Sequence, residues 1–594
     1  MTFLRRIRVV VGLSLEASFG MSVVVVAVAV LALLSMLLVA VALKLLVDAT
    51  IDHSTRGVVI GAVVAALALT ASVGWLPLAA SLSLRLQERI QTTLDRRLMT
   101  LTAELPTLEE RDSPQFAETL QLLLTSDRFP LAGGLVTLAS VLGFLGLLTT
   151  ACVFMGLQHP LLALVPVAVL PLLWVGFRAD QAWDRARQTI AGDQQHSQEL
   201  YRIATTPEAG KELRVFDLGD VLLSRHAAAE DRVRRVLNRA GLRSALIRSV
   251  SWLLFTGGYV AAVLVVTERA IDHRASAGDV VLVITLALPI VLLAGTAGPY
   301  LSVLSQLSAA AGRLSWIGAI AARSTAPAAN SRPAPTRLAH GISLVDVSLT
   351  YPSATAPALQ EITLDIPAGS VVALVGDNGA GKSTLVKLLC GLYHPTRGQI
   401  LIDGVDARDI DNEQWRARIC AGFQDFVHFE FLARDSVGVG DVPRQLDARA
   451  LDAAVTRGGA GDVITTLAQG LDTQLGRTWT DGAELSLGQW QKIALSRGLM
   501  RDKPLLVVLD EPTAALDPAA EEQLFRRFAE TAQSARASGT ITVLVSHRFS
   551  TVRFADLIAV VDDGRITELG SHQELIARSG TYAELFELQS RHYR

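Results

Sequence analysis

Six long apolar stretches crowd the first half of this chain, at Met21–Val47, Val58–Leu84, Leu131–Gly156, Leu161–Phe177, Leu246–Val266 and Val280–Leu304. Each approaches or exceeds the ~20 residues an α-helix needs to cross a bilayer core of ~30 Å. Leu161–Phe177 is the shortest and carries Pro166 and Pro171. Membrane helices tolerate proline because neighbouring groups re-satisfy the freed backbone. One such run is compatible with a buried core helix; six in one half of a chain are more than a soluble core sustains. An all-α, six-helix transmembrane domain is therefore expected over residues 1–320, with the lipid bilayer as its partner. Arg5, Arg6 and Arg8 precede the first run. That run exceeds the apolar core of a signal peptide, so it reads as a retained helix.

Basic residues set the orientation. The connector after the second run carries Arg85, Arg89, Arg96, Arg97, Arg111 and Arg128, and that after the fourth carries Arg178, Arg185, Arg187, Arg202, Lys211 and Arg214. The short loops Asp48–Gly57, Gln158–Pro160 and Thr267–Asp279 are nearly free of them. The positive-inside rule places both long connectors and both termini in the cytoplasm. The connectors are rich in helix formers. They are interrupted at Leu105–Pro114 and at Thr205–Glu212, where proline stops one helix and Ser or Thr starts another.

From residue 321 to 341 the chain reads as a linker, and beyond it the composition changes to that of an α/β enzyme. A net charge of −3 gives no footprint for nucleic acid. Three dispersed cysteines, Cys152, Cys390 and Cys420, form neither a disulfide framework nor a zinc pattern.

Three elements organise the C-terminal part. Val371–Val375 reads as a buried strand running into Gly376, Asp377, Asn378, Gly379, Ala380, Gly381, Lys382, Ser383 and Thr384. This fits G-x-x-x-x-G-K-[ST], a loop whose N–H groups cradle phosphates at a helix N-terminus. Leu505–Leu509 is a second buried strand, delivering Asp510 and Glu511 at its C-terminal end, where α/β sheets hold their ligands. Between them stands Leu485-Ser486-Leu487-Gly488-Gln489.

In this order the three elements resemble the ATP-binding domain of ABC transporters, from about Ile342 to residue 594. With the membrane runs in front, the whole resembles a half-transporter of the exporter type. One ATP domain is expected, with no second copy of it and no added N-terminal peptidase domain. The resemblance implies ATP and Mg2+ as cofactors. Lys382 would meet the β- and γ-phosphates; Ser383, Gln424 and Asp510 would hold Mg2+. Glu511 would activate water, and His547 would meet the γ-phosphate. Tyr351 would stack on adenine, and Ser486, Gly488 and Gln489 would contact ATP held by an opposite chain. Ala515-Leu516-Asp517 matches the family's D-loop.

The family's usual third signature residue is glycine; here it is Leu487. That departure bears on the composite site it completes and is one hint of an asymmetric heterodimer. Intact Glu511 points the other way. The resemblance also implies short docking helices in the two connector breaks. A cysteine at Glu109 is then expected to crosslink to one near Gln424 or Phe426, within one chain or across the dimer.

Three readings stay open: an ATP-driven exporter working as a homo- or heterodimer, a nucleotide-binding subunit with little turnover, and an exporter-shaped importer. The expected setting is a bacterial cell membrane with the ATP domain cytoplasmic. The transported substrate is unspecified: lipid, drug and peptide fit alike, with some similarity to lantibiotic-like peptide exporters around Phe423–Phe426 and Gly488–Gln491. Lys44 reads either as a functional intramembrane charge or as a lysine snorkelling to the interface.

Overall fold

The computed structural model describes residues 3–206, 209–324, 331–512, 538–546, 548 and 552–592. It divides into two compact units, Met1–Leu101 with Thr119–Gly318, and Thr102–Glu118 with Ala319–Arg594.

The first unit is helical. Its elements are α1 (Phe3–Ile51), α2 (Thr55–Ala103), α3 (Pro114–Leu124), α4 (Arg128–Gln158), α5 (Leu164–Val167), α6 (Val169–Thr189), α7 (Ala191–Thr205), α8 (Gly210–Val215), α9 (Gly219–Ile271) and α10 (Ala277–Ser324). Among the described residues five helical segments are long and apolar enough to cross a membrane. In the most apolar stretch of four of them, only 17–24% is buried. So much apolar surface left uncovered requires an apolar solvent. The sixth expected span falls on α10, whose described apolar part is Ala277–Leu286. The proline-bearing fourth span starts as a 3-10 turn (Pro160–Ala163) and a single helical turn before α6 takes over.

Polar side chains inside this unit are paired. Lys44 forms an ion pair with Asp279, whose side chain is 7% exposed. Asp48 accepts from Gly278 N at 2.8 Å. Lys44 therefore does not snorkel free; it ties the first membrane helix to the last. Asp127, which is buried, takes a two-pronged bond from Arg313 at 2.5 Å.

The second unit is α/β. Its small antiparallel sheet has the order β2–β1–β4–β5 (Leu359–Pro367, Gly341–Leu349, Arg397–Ile402, Val405–Asp406). Its main sheet has the order β10–β9–β3–β8–β7–β6 (Arg565–Gly570, Leu557–Asp562, Val371–Val375, Ile541–Val545, Leu506–Asp510, Ile419–Gly422). Strands β9, β3, β8, β7 and β6 run parallel, and only β10 is reversed. β3 and β8 are buried along nearly their whole length, which explains their unbroken apolar reading. Helices α11 (Lys382–Leu389) and α12 (Asn412–Arg416) belong to this body. A separate helical core gathers α13 (Ala433–Gly438), α14 (Ala448–Gly458), α15 (Gly461–Thr466) and α16 (Leu487–Gly498) around Leu451, Val455, Trp490, Ile493 and Met500.

Helix α10 continues to Ser324, past residue 321, because Ala321 is a buried helix former. The described part of the linker lies against the small sheet: Arg332 N donates to Asp409 O, and the N–H groups of Ala339, His340 and Gly341 converge on the Asp403 carboxylate at 2.8–2.9 Å. Those three donors hold the Asp403 carboxyl below its ordinary range despite burial.

Candidate nucleotide site

The phosphate loop leaves β3 at the middle of the main sheet. Three of its glycines have positive φ: Gly376 (149°), Gly379 (87°) and Gly381 (107°). A Cβ at Gly376 would lie 2.0 Å from Val561 O, and one at Gly381 would meet Leu359 and Ala358 under 3 Å. Nothing lies within 4 Å of a Cβ at Gly379. The outer two glycines therefore seat the loop, while the middle one borders open space. Asp377, Asn378 and Ala380 complete the loop, and Ala380 O accepts from Gly564 N at 3.0 Å.

Lys382 opens α11 and is buried, its Nζ donating to Gly376 O and Asp377 O at 2.8 Å. Burial pulls its pKa down, while Glu511, Asp510 and Asp377 push it back up. Two strands away Asp510 ends β7 and is 4% exposed. Burial raises its pKa, opposed by a hydrogen bond with Ser383 and by Lys382; the charges of Glu511 and Asp425 add to the rise. Its Oδ1 is buried without a hydrogen-bond partner among the described residues. A carboxylate oxygen left bare beside a serine hydroxyl is the donor chemistry a hard divalent cation takes. Ser383 and Asp510 therefore fit Mg2+.

Glu511 follows with φ 46°, a left-handed conformation that costs a non-glycine residue energy. Glu511 N is tied to Val545 O at 3.0 Å, and its carbonyl accepts from Gln491 Nε2 at 3.3 Å. The turned backbone aims the carboxylate at Gln424, whose Nε2 donates to Oε2 at 2.8 Å. The sequence motif includes Gln491, but neither its bond to the Glu511 carbonyl nor the strained turn was expected from it. His547 and Ala515-Leu516-Asp517 lie outside the described residues.

Tyr351 is half-buried. Its hydroxyl pairs with Thr384 Oγ1 at 3.0 Å, and its ring meets Tyr393 edge to face at 5.2 Å. Thr384 Oγ1 thus ties the tyrosine to the first turn of α11. Ser486 is the N-cap of α16: its Oγ accepts from Gln489 N, and Gln489 Oε1 accepts from Ser486 N. Gln489 is a capping residue here. The first-turn N–H groups of Leu487 and Gly488 have no intrahelical partner, which makes the helix start suited to an anion. Leu487 is 61% exposed and packs in no core. At its far end α16 is wedged against β6: a Cβ at Gly498 would sit 2.2 Å from Ala421 O.

The expected docking break at Leu105–Pro114 packs with this unit. Leu108 N donates to Leu392 O at 2.8 Å, Glu109 Oε1 accepts from His394 N at 2.5 Å, and Tyr393 OH bonds to Asp112. Asn412 and Arg416 both donate to Pro106 O. Within this chain Glu109 thus meets His394; the expected crosslink to Gln424 or Phe426 across a dimer is a separate contact. A separate cleft of about 500 Å3 lies beside Phe423, Phe426, Val427 and Phe429, with Arg497 over the Phe429 ring at 4.6 Å.

The family profile described as ABC transporter matches residues 359–514. An ATP-dependent lipid A-core flippase of Aromatoleum aromaticum is 33% identical over 442 residues, 72% of this chain and 69% of that one. The chain belongs to the ABC transporter family. The nisin transport ATP-binding protein of Lactococcus lactis subsp. lactis is 38% identical over 245 residues, and the match spans only 40% of that protein's length. In architecture the chain is similar to a bacterial Atm1-family ABC exporter solved with ATP bound, at a TM-score of 0.77 and 22% identity, covering 96% of this chain and 99% of that one. The ABC transporter fold thus extends over both units.

Because Leu487 touches no core, replacing it should not damage the domain. Leu487→Gly is expected to preserve or raise ATPase activity, measured as kcat on the purified protein. A fall of more than about tenfold, or ~1.4 kcal/mol of transition-state stabilisation, would show that the side chain packs productively.

Proposed function

We propose that this chain is an ATP-driven exporter acting as a dimer of half-transporters in a bacterial cell membrane, with its nucleotide-binding unit in the cytoplasm. The observation that carries this is the set at the strand ends: Asp510 with a bare oxygen beside Ser383, and Glu511 turned toward Gln424. Lys382 and the loop N–H groups bind the phosphates, and Tyr351 offers its ring to the base. Ser383 and Asp510, with Gln424 by its sequence position, would hold Mg2+, which would supply neutralising charge at the phosphates. Glu511 orients water and takes its proton, and Gln424 fixes the rotamer that does so. His547 belongs to the same set by its sequence position. Such a site works by positioning and charge stabilisation. The exposed start of α16, with Ser486 and Gly488, serves ATP on a second chain, identical or paralogous.

Coupling to the membrane helices runs through the connectors. The break at 105–114 is seated on 392–394 and 412–416. The other connector leaves Val215 and Phe216 exposed, 76% and 64%. The substrate class is amphipathic: relatives are named for lipid A-core and for nisin. A subunit with low turnover is the second reading, favoured only by Leu487.

The test is reconstitution in phospholipid vesicles. ATP-dependent movement of a fluorescent lipid analogue or of nisin, absent in Glu511→Gln, is the expected result. Absence of ATP hydrolysis by the chain alone, restored by a paralogous partner, would favour the second reading.

A further inference from the structure

Tyr393 stands between two things the mechanism leaves separate. It is 1% exposed, among the largest fully buried side chains of the protein. One end meets the Tyr351 ring edge to face, 5.2 Å between centroids. The other end, the hydroxyl, bonds to Asp112 of the first connector. Burial, followed by this bond, raises the phenol pKa, so the hydroxyl stays protonated and keeps donating. The residues on either side repeat the connection: Leu392 O accepts from Leu108 N, and His394 N donates to Glu109. This segment directly follows α11, the helix of the phosphate loop.

We propose that Tyr393 is a positioning residue that relays occupancy of the base site on Tyr351 to the connector at Asp112. The proposal rests on the nucleotide reading of the site. A ring settling on Tyr351, whose ring Lys387 Nζ also faces at 5.8 Å, restrains that side chain. Tyr393, itself buried, transmits the restraint through its hydroxyl to the carboxylate of Asp112. The connector then responds to the base of the nucleotide as well as to its phosphates. If Tyr393 were only a structural pin, it would hold the connector equally whatever occupied the phosphate loop.

The experiment compares ATP with inorganic tripolyphosphate, which has the phosphates and no base, on the full chain in lipid nanodiscs in a Glu511→Gln background. Hydrogen–deuterium exchange is followed at residues 105–118 and at 376–384. ATP is expected to slow exchange at 105–118 at least about tenfold more than tripolyphosphate does when each protects 376–384 to saturation. Tyr393→Phe keeps the ring and loses the donor. It should abolish that difference while ATP affinity stays within about threefold. Asp112→Ala should do the same, and Asp112→Asn, which keeps an acceptor, should restore it. Equal protection of 105–118 by both ligands, or a difference that survives both Tyr393→Phe and Asp112→Ala, would overturn the relay and leave the nucleotide site standing. No protection of 376–384 by ATP would overturn both.

Discussion

Glu511→Gln is expected to lower ATP turnover roughly 100- to 10,000-fold, the range a positioned general base supplies. That is about 3 to 5 kcal/mol of barrier. Glutamine keeps the shape of the side chain and its contact with Gln424, but it cannot take a proton. ATP affinity should therefore persist, and the two nucleotide units should stay closed on unhydrolysed ATP. Single-turnover kinetics with labelled ATP, beside equilibrium binding, separates these quantities. Near-normal hydrolysis would remove Glu511 from the catalytic role and leave its left-handed backbone without a functional explanation.

Lys382→Ala should act on binding. The ammonium is buried, held by two loop carbonyls at 2.8 Å and attracted by Glu511, Asp510 and Asp377. Phosphate oxygens would offer it charge-assisted bonds, each worth roughly 1.5–3 kcal/mol. Losing them should raise the ATP dissociation constant roughly 100-fold, about 2.8 kcal/mol. The melting temperature without nucleotide checks that the loop has not collapsed, because the substitution also strips two carbonyls of their donor. Unchanged affinity in a folded variant would show that the backbone cradle alone carries binding.

Local features of this chain were legible in advance. The phosphate loop, the strand ending in Asp510 and Glu511, and the apolar runs are contiguous, so spacing and hydropathy reveal them. Features joining distant parts were not. The Tyr393–Asp112 contact links residues 281 positions apart, and Lys44–Asp279 links residues 235 apart. No periodicity encodes such pairs. The connector break itself was visible from its prolines, but its seat within this chain was not: the glutamate meets the backbone N–H of His394, and nothing in the local pattern selects that N–H. Ser486 and Gln489 illustrate a subtler limit. Their spacing also fits a helix-capping pair, and the structure uses them that way. The αL turn at Glu511 was invisible because a glutamate is an unlikely residue for it, and only the surrounding bonds enforce it.

The close seating of Gly498 against Ala421 gives α16 the mechanics of a lever. With no room for even a Cβ there, nor at Gly440 against Arg497 or Gly458 against Ser496, the far end of α16 is held at several points while its start at Ser486 is exposed. From Gly498 to Ser486 the arm is about 18 Å at ~1.5 Å per residue. A swing of about 10° about that held end would carry Ser486 by about 3 Å, the difference between touching a phosphate and releasing it. A bulkier residue at position 498 would disturb that hold without altering any group that meets ATP.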